Sequence, residues 1–84
     1  MNKRQILIRI NLLNSLAGAD GLPVLMEYTQ QEVAMATPKL LPTEFDEAVR
    51  TAEQERLIDS VDSPRGKKSA INDAGRMWLT QNRF

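Results

Sequence analysis

Between residues 43 and 71 the hydrophobic pattern changes period once, and that change limits the folds open to this 84-residue chain. Residues 43–56 repeat at helical spacing. Phe45, Ala48, Val49 and Ala52 form a narrow apolar stripe, leaving Glu47, Arg50, Thr51 and Gln54 on the opposite face. The Thr43 hydroxyl is placed to accept from the backbone N–H of Asp46, and Glu44, Asp46 and Glu47 suit the positive end of the helix dipole. From Leu57 the pattern alternates instead: Leu57, Asp59 and Val61 share one face, Ile58 and Ser60 the other. Asp62 to Lys68 reads as a turn-rich connector containing Pro64 and Gly66, and Ser69-Ala70-Ile71 returns as the second strand of a hairpin. Asn72 is an N-cap for a last helix with Ala74, Met77, Trp78 and Leu79, whose packing on the core predicts a largely buried Trp78.

Two helices are predicted upstream. The first runs from Lys3 to Ala17, with Ile6, Ile10, Leu13 and Ala17 at i, i+4, i+7 and i+11. Leu7, Ile8, Leu12 and Leu16 widen its apolar surface, which implies cover on more than one side or a homodimer seam through residues 6–17. Gly18 and then Asp20-Gly21 supply residues that tolerate positive φ at its end. The second helix is expected over Leu25 to Ala36, with Leu25, Tyr28, Thr29, Met35 and Ala36 inward. Pro38 and Pro42 bracket a connector whose Leu40 and Leu41 read as plugs of the core. The expected class is therefore α+β and mostly helical: three N-terminal helices, a β-hairpin and a C-terminal helix in one domain over 1–84.

Composition narrows the chemistry. The chain has neither cysteine nor histidine, so disulfides, thiolate metal sites and the commonest general base are excluded. Carboxylates are the remaining catalytic groups, and their densest set, Glu44, Asp46, Glu47, Glu53 and Glu55, is scattered around one helix and reads as solvated charge. No phosphate-binding glycine loop, metal-binding run or nucleophile elbow occurs, so no enzyme, no cofactor and no metal are expected. Net charge is zero, yet residues 43–56 carry −3 while residues 1–17 carry +3 and 57–84 carry +2. Lys3 and Arg4 ahead of Ile6, Leu7 and Ile8 imitate a secretory signal, but Arg9, Asn11 and Asn14 interrupt the apolar core such a signal needs. No stretch approaches the roughly 20 apolar residues of a membrane span, so the expectation is a cytoplasmic protein without membrane contact.

The order of elements resembles a winged-helix domain with a C-terminal extension. Glu53-Gln54-Glu55-Arg56-Leu57-Ile58, the hairpin, and then Ala70-Ile71-Asn72-Asp73-Ala74-Gly75-Arg76 are similar to the stretch in PadR- and MarR-like regulators where the third helix ends and a wing leads into a T-[DE]-x-G turn. Residues 43 to 80 carry the resemblance; residues 3 to 36 share only element order. Arg56 stands where glycine is usual, so a left-handed helix end there is expected to be strained or absent. Asn72 replaces the usual threonine.

The resemblance implies that Arg65, Lys67 and Lys68, on the wing, touch the DNA backbone or minor groove, and that Arg50 and Gln54 on the third helix read bases. Two functions follow from the sequence. One is regulatory binding of double-stranded DNA through the third helix and basic wing. The other is a protein-interaction or dimerisation module without DNA binding, favoured by the acids of the third helix and the neutral chain.

Overall fold

The computed structural model describes residues 1–82 and contains four helices and a three-stranded antiparallel sheet. Helix α1 spans Lys3–Ala17, strand β1 Val24–Leu25, helix α2 Met26–Ala36 and helix α3 Pro42–Gln54. Strands β2, Ile58–Ser63, and β3, Gly66–Ile71, form the hairpin, and helix α4 covers Asp73–Asn82. The α+β class and the helix–helix–helix–hairpin–helix order expected from sequence are present. Strand β1 is an addition to that order, because two residues beside Pro23 offer no alternation to detect.

Helix α1 begins at an Asn2 capping box: its side chain accepts from the Gln5 N–H at 2.8 Å while the Gln5 side chain accepts from the Asn2 N–H at 2.9 Å. Ile8, Ile10, Leu12, Leu13 and Leu16 are buried, with Ile6 and Ala17 half-buried against the same core. Packing of α1 on α2, α3, α4 and β3 uses the apolar width that suggested a dimer seam. Only Leu7, 42% exposed, is left as a large apolar side chain on the outer face of residues 6–17. The chain leaves the helix through Asp20 and Gly21, which take positive φ; Gly18 itself stays right-handed.

Helix α2 buries Leu25, just before it, with Thr29 and Val33, while Tyr28, Met35 and Ala36 point outward. The expected inward set is corrected here: the buried stripe is 25, 29 and 33, an i, i+4, i+8 row set by contact with α1 and the sheet. Leu41 is likewise exposed, whereas Leu40 packs partly on the core. Helix α3 starts earlier than expected because Pro42 occupies its first turn, where a missing N–H costs nothing. Leu41 is therefore the N-cap residue, and Glu44, not Thr43 with Asp46, closes the end by accepting from the Leu41 N–H at 3.0 Å.

The sheet order is β1-β3-β2, all antiparallel, with Ile58 opposite Ile71, Ser60 opposite Ser69 and Ser63 opposite Gly66. The expected long connector is thus only the turn Pro64-Arg65, and Lys67 and Lys68 lie in β3 rather than in a loop. Gly66 closes the turn at φ 123°, with the Ser63 hydroxyl donating to its carbonyl at 2.6 Å. Phe45, Ala48, Val49 and Ala52 of α3 meet Ile58, Ile71 and α1 in a single cluster that also receives Leu79. The rest of α4 departs from expectation: Met77 is 63% exposed, Ala74 faces outward, and Trp78 is half-buried rather than largely buried.

The joint between α3 and the hairpin is tight. Arg56 adopts φ 57°, the left-handed conformation expected to be strained there, and Asn72 donates from its amide to the Arg56 carbonyl at 2.8 Å. The same Asn72 caps α4 by accepting from the Gly75 N–H at 2.9 Å. A Cβ on Gly75 would stand 2.2 Å from the Leu57 carbonyl oxygen and 2.8 Å from Ile71, so only glycine lets α4 approach this closely.

Candidate functional site

The exposed face of α3 and the hairpin beside it hold all five residues singled out from sequence. Arg50 and Gln54 are exposed on α3 as expected, and Arg65 is exposed at the turn. Glu47 and Arg50, one helical turn apart, form an ion pair in which the guanidinium donates to both carboxylate oxygens, at 3.1 and 2.5 Å. Gln54 makes no such contact among the described residues.

The hairpin separates the three basic residues that adjoin one another in sequence. Because side chains alternate along a strand, Lys67 shares a face with Ser69 and Ile71, turned toward α3, and Lys68 takes the other. Lys67 forms an ion pair with Glu53 of α3. Partial burial works against ionisation of Glu53, but hydrogen bonds from Lys67 and Ser60 outweigh it and hold the carboxyl below its usual range. Ser60 and Ser69 hydroxyls meet at 2.7 Å across the strands just behind this pair. Asp62 lies directly opposite Lys67, so that lysine stands between two acids. Arg65 and Lys68 have no ion pair among the described residues.

A groove of about 440 Å³ runs between α2 and α3 toward Lys67. Phe45 and Val49 form its floor, and Glu27, Asp46 and Glu53 lie along its rim. A second groove, of about 300 Å³, separates the start of α1 from α3. Its side-chain charges are paired within the molecule: Arg4 donates to both oxygens of Glu44, at 2.6 and 2.9 Å, and to the carbonyls of Pro38 and Lys39. Hydrogen bonds from Arg4 and from the Leu41 N–H pull the Glu44 carboxyl down to about 2.

Sequence reasoning missed the most buried charge. Arg9, 2% exposed, donates to both oxygens of Glu55 at 3.0 and 2.5 Å and lies over the Trp78 ring, 5.1 Å from its centroid. Arg9 thus joins α1, the end of α3 and α4; its Nε makes no hydrogen bond and the aromatic face lies against the guanidinium instead. A signal existed, since an arginine between Ile8 and Ile10 on a helix covered on several sides needs a carboxylate partner. Among the described residues no group of three or more carboxylates is arranged to hold a metal ion, and no helix is long and apolar enough to cross a membrane. Comparison of the chain with family models, curated proteins and solved structures gives no significant match.

Proposed function

We propose that the chain is a winged-helix domain acting as a non-catalytic binding module, and that the exposed face of α3 docks a protein partner rather than duplex DNA. The winged-helix reading is supported by the β1-β3-β2 order, by the hairpin following α3, and by the close seat of Gly75 against Leu57. The left-handed Arg56, standing where the resemblance has glycine, supports it as well.

The observation that carries the choice of partner is the double neutralisation of the α3 face. Arg50 is held by Glu47 and Lys67 by Glu53, so two of the four cations that the resemblance sets against DNA are already committed. To use them DNA must break those pairs and approach Glu27 and Asp46 as well, and like-charge contacts of this kind oppose binding. A protein partner carries no such uniform charge and can match the face as it stands.

Duplex binding is the second reading, favoured by Arg65 at the hairpin turn and Lys68 in β3, which form no ion pair among the described residues. Anisotropy titration with a labelled duplex separates the two. The expected outcome is no saturable binding below about 100 micromolar at low salt, where nonspecific attraction is strongest. Binding with a log–log salt slope of about −3, flattened in an Arg65→Ala, Lys67→Ala, Lys68→Ala variant, would overturn the protein reading.

A further inference from the structure

We infer that the groove between α2 and α3 takes a lysine or arginine side chain from an extended basic segment of the protein partner. The inference rests on the protein-binding reading above and names the chemistry of that partner. Two independent features of the groove match the two parts of a long cationic side chain. Phe45 and Val49 give the floor an apolar strip suited to a methylene stem. Glu27, in the first turn of α2, and Asp46, in α3, are exposed residues that line the groove with no ion pair or hydrogen bond among the described residues, so two uncommitted carboxylates are open to a cationic head.

Neighbouring charges strengthen the match. Arg50 and Lys67 also line the groove, but each is turned to its own carboxylate, and Asp62, opposite Lys67, adds negative charge beside it. Nucleic acid and anionic membrane are both repelled by such a rim. A bare divalent cation is not the occupant either, because no three of these carboxylates converge on one point among the described residues.

The probe is a fluorescein-labelled octapeptide alternating arginine and alanine, titrated against the full chain at low salt. Binding is expected to weaken about fivefold in a Glu27→Gln, Asp46→Asn variant, as loss of two partly exposed charge pairs implies. An Asp20→Asn, Glu32→Gln variant removes the same charge away from the groove and should bind within about twofold of the parent. The same peptide with citrulline for arginine keeps the stem and loses the charge, and it should not bind measurably. Equal weakening by both variants, or citrulline binding as well as arginine, overturns the inference. If neither this peptide nor a duplex binds, the groove assignment falls while the protein reading stands; if the duplex binds with the steep salt slope given above, both fall.

Discussion

The two sides of the hairpin carry the same kind of residue and hold it in opposite states. Toward α3, Lys67 is paired with Glu53 and faced by Asp62; Arg65, exposed at the turn, and Lys68, as half-buried as Lys67 but on the other face, form no ion pair among the described residues. In sequence these three form one basic run. Strand pairing places Ser63 opposite Gly66, so alternation begins at Gly66 and sends neighbouring lysines apart. Basic composition therefore overstates the charge this face can offer a phosphate. Register decides how much remains.

If register makes the difference, loosening the joint that seats the hairpin should erase it, with the largest effect of any single change. Gly75→Ala forces backbone at Leu57 to move and should cost about 2–3 kcal/mol, read as a fall in the denaturation midpoint. Near-native stability for that variant would mean α4 does not hold the hairpin in place. Arg9 extends the comparison to a fully enclosed cation. Arg9→Ala removes stem packing and the Trp78 contact along with the Glu55 pair, and a loss of about 2 kcal/mol with a red-shifted Trp78 emission is expected.

Arg56→Gly sharpens the comparison from the other side. Relief of the left-handed strain, offset by greater freedom of the unfolded chain, should stabilise the joint by about 0.5–1 kcal/mol in chemical denaturation. A destabilised variant would show that the Arg56 side chain contributes more than its backbone costs.

The smallest effect concerns the far end of α3, where Arg4 and Glu44 play the part that Lys67 and Glu53 play at the hairpin. The Glu44 carboxyl is lowered from about 4.5 to about 2, so its contribution is fully present above pH 4.5 and is lost as pH falls through 2. The Tm difference between the parent and Glu44→Gln should shrink over that interval. A difference independent of pH would remove Glu44 as its cause.

Most of the architecture was legible because the strongest signals were periodic. The stripe of Phe45, Ala48, Val49 and Ala52 reflects burial on one face and the structure buries it, whereas the alternation from Leu57 marks a strand, Ile58–Ser63, whose inward residue is Ile58 and which leaves Val61 exposed. What escaped depended on contacts between distant residues. Thr43 has the right side chain for a cap, yet Pro42 starts the helix one residue earlier and gives the role to Leu41 and Glu44. Tyr28 and Met35 are apolar in composition, but the α2 stripe is fixed by what α1 covers. Of the candidate residues, Arg50 and Gln54 are exposed on α3 and Arg65 at the turn, but Lys67 and Lys68 stand in β3 rather than in a connector, and the pairing of Arg50 with Glu47 and of Lys67 with Glu53 depends on rotamer and register, which spacing alone does not determine.

On the proposed reading, intramolecular pairing withholds Arg50 and Lys67 from a phosphate backbone. A Glu47→Gln, Glu53→Gln variant tests it directly, because it frees both cations while keeping the shape of the face. Duplex binding, absent below about 100 micromolar in the parent, should become measurable at low salt, the two freed cations adding about 0.9 each to the steepness of its log–log salt slope. If the variant and the parent bind duplex alike, with the same slope, the pairs do not control the charge of the face and the claim fails.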